Sequence, residues 1–205
     1  MAERAVSRPQ DIPLGPTHRV GVGRWGIWTV IATEAALFGY LLFAYFYLGA
    51  QGPPGWLLEP HPSLKYAVPG TVIVLLSALL TWWGVQAILR DRRVQSAIAF
   101  AVAWLLGIGS VWLQILDWKA KPFHLGTSSY SSIYYVTTGF DVLHVLVGLV
   151  IFFFLILWTA LGYFSARRSL VVTVSALYWY FLTVTWLAIF VTFYVSPYLG
   201  FGQWQ

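Results

Sequence analysis

Five long apolar segments restrict the fold of this chain more than any other feature of its sequence. A helix that crosses the hydrocarbon core of a bilayer needs roughly 20 apolar residues, and each segment reaches that length. Each must be helical, because lipid offers no hydrogen-bond partner to an open backbone. The sequence therefore predicts an all-α polytopic membrane protein, a bundle of five transmembrane helices, with approximate spans 25–48, 66–89, 94–116, 130–164 and 170–195.

The composition supports a membrane protein and excludes several classes of function. Hydrophobic residues make up 59% of the chain and charged residues only 9%, whereas a soluble domain is roughly one quarter charged. The net charge of +5 does not indicate nucleic-acid binding, because the basic residues lie in short stretches between apolar segments. The absence of cysteine excludes disulfides, thiolate metal sites and thiol catalysis.

The distribution of basic residues predicts the orientation of the chain in the membrane. Cytoplasmic loops carry an excess of lysine and arginine. All arginines fall on one predicted side, and the other side holds only Lys65, Lys119 and Lys121. We therefore predict a cytoplasmic tail over 1–24, a transmembrane domain over 25–196 and an extracytoplasmic tail over 197–205. The arginines are Arg4, Arg8, Arg19, Arg24, Arg90, Arg92, Arg93, Arg167 and Arg168.

Glu34 is the most informative ionisable residue within the predicted spans. A charge at the bilayer centre costs about 3 kcal/mol or more, and Glu34 lies about 15 Å beyond Arg24 along the helix. Two interpretations stay open: a protonatable group near a proton path or lipid headgroup, or a neutral acid hydrogen-bonded between helices. If the first two helices are antiparallel neighbours, Ser77 reaches a similar depth, and depth alone predicts a Glu34–Ser77 contact.

Two further pairs are spaced i, i+3 and so share a helix face. Asp141 and His144 lie toward the outer half of the fourth span and are expected to form a carboxylate–imidazole pair. Gln114 and Asp117 lie at the outer end of the third span, where we expect a satisfied end-of-helix pair near the lysines. His144 is the only histidine within a span, so neither a metal site nor haem ligation is predicted for this chain.

Several stretches, taken in order, resemble subunit III of the haem–copper terminal oxidases. Residues 138–148 resemble the family pattern Thr-Gly-x-His-x-x-His-Val-x-x-Gly, and 178–186 resemble Tyr-Trp-His-Phe-x-Asp-x-x-Trp. Residues 24–38 are similar to the family helix that carries a buried glutamate, 69–77 to its next helix, and 113–118 to a Gln-x-x-Glu-aromatic motif. The resemblance extends from Arg24 to Tyr194.

The chain departs from the family pattern at four polar positions. Asp141 stands where the pattern has its first histidine, and Asp117 stands where it has a glutamate. Tyr180 and Thr183 stand where it has histidine and aspartate. Glu34 and His144 keep the family residues, so any role that the family gives to those two can be carried over here.

The resemblance implies a subunit without redox centres in a proton-pumping oxidase of aerobic respiration, most closely cytochrome c oxidase. Such a subunit packs against catalytic subunit I in a complex with subunit II, and the partner subunits hold haem and copper. It binds phospholipid in a cleft, supports proton uptake and protects the oxidase from inactivation during turnover. Glu34 is then the carboxylate beside the lipid cleft, and Asp141, His144 and Ser77 are further candidates for the lipid site or proton path. The five-span form is similar to that of many bacterial members, which implies a bacterial or archaeal plasma membrane.

Other functions stay open at the level of sequence. A quinol oxidase subunit III and an accessory subunit of nitric oxide reductase are the related alternatives. A small proton-coupled transporter that uses Glu34, Asp141 and His144 as a relay belongs to a different class. Transporters usually carry inverted repeats and broken helices, and the sequence has neither.

Overall fold

Five long helices account for most of the structure. The computed structural model describes residues 20–53, 55–59 and 61–201. The helices are α1 (Val20–Gln51), α2 (Ala67–Leu89), α3 (Arg93–Ala120), α4 (Ser129–Ala160) and α5 (Leu170–Phe190). α5 continues into a π-helical turn, Val191–Val195, and a 3₁₀ turn, Ser196–Leu199. All five helices are long and apolar enough to cross a membrane, which confirms the predicted five-helix class: the chain is a multi-pass membrane protein.

The ends of the helices follow local sequence signals. α4 begins after Ser128, whose hydroxyl accepts a hydrogen bond from the backbone N–H of Ser131, while the Ser131 hydroxyl accepts one from the N–H of Ser128. α4 ends at Ala160, ahead of the predicted limit at 164, and Gly162 follows with a φ of 79°. Glycine adopts this left-handed conformation without steric cost, so the chain leaves the helix there.

Helices α2, α3, α4 and α5 form a bundle, and α1 packs on the outside of it. α3 lies against α2 and α4, and α5 lies against α2 and α4, so these four helices surround a common centre. α1 packs against α4 and α5 and has no extensive contact with α2. α1 is also the most exposed of the five spans, so much of its surface is available to lipid or to a partner.

Buried and half-buried tryptophans connect neighbouring helices through their indole N–H groups, which need an acceptor in an apolar interior. Trp118 donates to Thr138 at 3.0 Å and Trp104 to the carbonyl of Leu149 at 2.9 Å, both across α3 and α4. Trp179 and Trp186 of α5 donate to Ser77 and Thr71 of α2. These bonds fix the register of the antiparallel pairs.

Small residues let the helices approach closely around Trp179. Side chains at Gly107 of α3 or Gly148 of α4 would collide with its ring. Close packing at small residues is a general means of association between membrane helices. The centre of the bundle therefore depends on glycine at these two positions.

One end of the bundle carries the arginines that the structure describes. Arg90, Arg92, Arg167 and Arg168 are exposed in the two short links at that end. Asp91 holds the links together, because its carboxylate accepts a hydrogen bond at 2.9 Å from the backbone N–H of Ala166. Residues 1–19 and 202–205, which include Arg4, Arg8 and Arg19, lie outside the described residues. The predicted tails and the orientation in the membrane stay predictions.

Candidate functional site

Glu34 of α1 and His144 of α4 form a polar pair near the middle of the membrane-spanning bundle. The Oε2 atom of Glu34 lies 2.9 Å from Nε2 of His144. Each residue is near the midpoint of a 32-residue helix, so His144 is central rather than in the outer half that the sequence predicted. His144 is buried and Glu34 is half-buried.

The second ring nitrogen of His144 fixes the proton arrangement of this pair. Nδ1 lies 2.7 Å from the carbonyl oxygen of Phe140, and a carbonyl only accepts, so Nδ1 carries a hydrogen. The bond between Nε2 and Glu34 then contains one proton, located either on the carboxyl group or on the imidazole. In both cases the pair as a whole is neutral, which lowers the cost of placing it in the membrane.

The pair lies on the wall of an open, largely apolar groove between α1, α4 and α5. The groove has a volume of about 360 Å³. Tyr178 lies beside the pair and donates to the carbonyl of His144 at 3.3 Å. The apolar part of the lining consists of Ile27, Val30, Leu143, Val147, Ile151 and Val174. The groove therefore offers mostly apolar walls, with the Glu34–His144 pair, Ser175 and Tyr178 as its polar lining, and such walls suit a hydrocarbon chain.

The predicted contact between Glu34 and Ser77 is wrong. It required α1 and α2 to be neighbours, but α1 packs against α4 and α5. Ser77 faces the centre of the four-helix bundle instead, where it donates to the carbonyl of Val74 at 2.7 Å and accepts from Trp179 at 3.0 Å. Its role as a lipid or proton-path residue remains untested.

The predicted pair of Asp141 and His144 is also wrong. Both nitrogens of His144 are occupied by Phe140 and Glu34, and the imidazole is directed toward α1. Asp141 faces the bundle centre, and its buried Oδ1 has no hydrogen-bond partner. Asp141 and His144 lie on one side of α4, but Asp141 faces the bundle centre whereas His144 faces α1.

Asp117 lies in a buried cluster rather than in the expected end-of-helix pair. Its Oδ2 accepts hydrogen bonds from the hydroxyls of Tyr134, at 2.5 Å, and Tyr194, at 2.6 Å. Lys121 lies 3.6 Å from the same oxygen and 2.8 Å from Oε2 of Glu59. The lysine also lies about 5 Å from the centres of both tyrosine rings, at cation–π distance. We call these five residues the Asp117 cluster.

The other half of the predicted pair, Gln114, does not join the Asp117 cluster. Its side chain is buried, and Nε2 has no hydrogen-bond partner. The expectation of a satisfied polar pair near the interface was therefore wrong for Gln114. Asp117 is satisfied, but by residues that lie far from it in sequence.

Sequence reasoning missed Glu59, Tyr134 and Tyr194 as partners of Asp117. The spacing of Asp117 and Lys121, i and i+4, was a usable signal for their ion pair. Tyr194 reaches the carboxylate from the π-helical turn after α5, a local irregularity that apolar periodicity does not reveal. Within the described ranges, no group of three or more histidine, cysteine, aspartate or glutamate residues comes together, and the lack of a metal site in this chain remains a prediction.

Comparison with known proteins identifies similar sequences along nearly the whole chain. The family model for cytochrome c oxidase subunit III matches residues 15–198. The chain is 31% identical over 195 residues to a probable cytochrome c oxidase subunit 3 of Nocardia farcinica, which covers 93% of this chain and 90% of the relative. It is 29% identical over 200 residues to cytochrome c oxidase subunit 3 of Drosophila melanogaster, with 93% and 76% covered. A probable subunit 3 of Mycobacterium bovis is 29% identical over 194 residues.

Proposed function

The chain belongs to the cytochrome c oxidase subunit III family, and on that basis we propose that it retains lipid and supports proton uptake within a proton-pumping haem–copper oxidase. Membership implies a multisubunit complex. The electron donor is cytochrome c in this proposal, as the names of the relatives suggest. The partner subunits I and II carry haem and copper and perform electron transfer and oxygen reduction.

The histidines that the structure describes do not suit the axial ligation of haem. A histidine that ligates haem needs a free imidazole nitrogen, and both nitrogens of His144 are engaged. The other described histidines, His61 and His124, are exposed and lie outside the helices. We therefore assign the redox centres to the partners and derive no redox step in this chain.

The observation that carries the proposal is the Glu34–His144 pair in the wall of the apolar groove. The groove is open and bordered by apolar side chains at the depth where acyl chains lie. The pair adds a hydrogen-bonding group without adding net charge. A phospholipid whose chain occupies the groove fills the space between α1 and the bundle and holds α1 in place.

The external surface supports a location between lipid and another subunit. α1 exposes many large rings and aliphatic groups, among them Trp25, Trp28, Tyr40, Phe43 and Tyr47. Aromatic residues are common at membrane interfaces and at protein contacts. In our proposal part of this surface packs on subunit I, and the arginine-bearing end faces the cytoplasm of a bacterial or archaeal cell.

The lipid part of the proposal is tested by filling the groove. Val147→Trp places an indole in the groove, and Val136→Trp places one on the same helix at an exposed position outside it. We expect the purified Val147→Trp oxidase to retain fewer phospholipids per complex, counted by native mass spectrometry, and to complete fewer turnovers before inactivation. The Val136→Trp oxidase should match the wild type in both. Equal lipid counts in all three would contradict the proposal.

The assignment of redox chemistry to the partners is tested by deletion of this chain. The oxidase without it should keep its visible haem spectrum and initial oxygen consumption but lose activity sooner during turnover. Loss of a haem band on deletion would contradict the assignment. Solute-coupled proton flux by this chain alone in vesicles would instead favour the transporter alternative.

A further inference from the structure

A cavity lies at the centre of the bundle formed by α2, α3, α4 and α5, separate from the lipid groove. It leaves about 30 Å³ to the centres of water molecules, and roughly 10–15 Å³ of such space is enough to hold one. Its polar lining includes Ser77, Ser110, Gln114, Asp141 and Thr183. The cavity is therefore both large enough and polar enough for bound water.

Two buried polar atoms in this lining have no hydrogen-bond partner. They are Oδ1 of Asp141 and Nε2 of Gln114, and their residues are only 4% and 6% exposed. An unsatisfied buried polar group costs about 1–3 kcal/mol, so native structures almost always satisfy such groups with protein or ordered water. Each of these atoms therefore requires a partner that the protein itself does not supply.

The two residues lie at the same level of neighbouring helices. Trp118 of α3 bonds to Thr138 of α4, and the two helices run antiparallel. Gln114 lies four residues before Trp118 and Asp141 three residues after Thr138, so both lie about one helical turn from that bond, toward the same end of the bundle. Both side chains line one cavity, yet no direct bond joins them.

The serine and threonine hydroxyls around the cavity do not donate to Asp141. Each hydroxyl has one hydrogen, and each donates it to a carbonyl within its own helix. Ser77 donates to Val74, Ser110 to Gly107 and Thr183 to Trp179. The lining thus presents a carboxyl oxygen and hydroxyl lone pairs as acceptors, with the Gln114 amide as a donor.

We propose that this cavity is a water-binding site in which one or two ordered water molecules bridge Asp141 on α4 to Gln114 on α3. Water accepts from the amide of Gln114 and donates to Oδ1 of Asp141, and it satisfies the carboxyl group in either charge state. The remaining hydrogen of the water can reach the free lone pairs of a lining hydroxyl. The bridging water links α3 to α4. This proposal does not depend on the lipid groove or on the proposed function.

A density map of the complete oxidase, at a resolution that reveals ordered water, tests the site directly. We expect density within hydrogen-bonding distance of both Asp141 and Gln114 in the wild type and in Asp141→Asn, which keeps a polar partner. The density should be absent from the double variant Asp141→Leu/Gln114→Met, whose side chains are apolar. An empty cavity in the wild type, or a Gln114 side chain rotated into direct contact with Asp141, would overturn the proposal.

A double-mutant cycle provides a second test with a different readout, the half-life of this subunit in the heated complex. Asp141→Leu and Gln114→Met should each shorten the half-life about tenfold, because each leaves the other polar group without its hydrogen-bonded bridge. The double variant should lose no more than about tenfold, rather than a hundredfold, because it leaves neither group without a hydrogen-bond partner. Thr159→Val, a buried position of α4 outside the cavity whose hydroxyl donates to the carbonyl of Leu155, should combine multiplicatively with Gln114→Met. Multiplicative effects for the Asp141–Gln114 pair would count against a shared water.

Discussion

The Asp117 cluster and the Glu34–His144 pair are both polar sites in an apolar bundle, but they are built differently. Asp117 accepts the hydroxyls of Tyr134 on α4 and Tyr194 in the π-helical turn, and it lies beside Lys121, which in turn binds Glu59 of the α1–α2 loop. Glu34 makes one bond, to His144, and borders an open groove. The first site is dense and closed, and the second is simple and accessible.

This difference in construction indicates which site stabilises the fold and which site serves the function of the subunit. A buried carboxylate with several donors holds distant segments together, and removal of any partner leaves others unsatisfied. A neutral pair at the edge of a groove contributes little to stability, and in the proposed function it lies beside the lipid and the proton path. We therefore assign the Asp117 cluster to the fold and the Glu34–His144 pair to the function of the subunit.

The largest expected effect comes from removal of the carboxylate at the centre of the cluster. Asp117→Leu leaves the hydroxyls of Tyr134 and Tyr194 without their common acceptor and removes one of the two carboxylates beside the buried Lys121, and we expect a loss of about 3–5 kcal/mol. Thermal dissociation of this subunit from the purified complex measures the loss. Asp117→Asn, which keeps one acceptor oxygen, should fall between the wild type and the leucine variant. A leucine variant as stable as the wild type would remove the cluster from our account of the fold.

A smaller effect is expected when one donor of the cluster is removed. Tyr194→Phe deletes a hydrogen bond to a charged acceptor, and such bonds contribute about 1.5–3 kcal/mol. Tyr198→Phe is the matched control, since its hydroxyl donates to the neutral carbonyl of Pro62 at 2.9 Å, with an expected loss of about 1 kcal/mol. The same thermal assay compares them. Equal losses would indicate that Asp117 is not the charged centre of the cluster.

The smallest of these losses is expected at the pair. His144→Leu removes the only bond of Glu34, but the acid is half-buried at an open groove and can find another partner there. We expect a loss of about 1 kcal/mol, at the low end for an unsatisfied group. If His144→Leu destabilises the complex more than Asp117→Leu does, the two sites have been assigned the wrong way round.

The existence of five helices was predictable from the sequence, whereas the pairs of helices that pack against each other were not. Unbroken apolar runs and the polar links between them define five spans, because lipid leaves no alternative to a helix. An apolar surface on every side does not indicate which helix it contacts. The predicted Glu34–Ser77 contact was conditional on α1 and α2 being neighbours, and it is wrong because α1 packs against α4 and α5 instead.

The site was predictable in its members but not in its pairing. Glu34 and His144 were identified because charged and titratable residues are costly in a membrane. His144 was placed in the outer half because the fourth apolar run continues past Ala160, where α4 ends. Asp141, one turn away, faces the central cavity together with Thr183. Both positions depart from the family pattern, and the sequence alone did not show that the two departures meet in one cavity.

The most direct test of this division is the occupancy of the chain in oxidase purified from cells that express Glu34→Gln or Asp117→Asn. Each change replaces a carboxylate by its amide at nearly constant volume. We predict wild-type occupancy for Glu34→Gln, because the amide can donate to Nε2 of a neutral His144, and reduced occupancy for Asp117→Asn, because Lys121 loses a charged partner. Full occupancy for Asp117→Asn together with loss of the chain in Glu34→Gln would contradict the account.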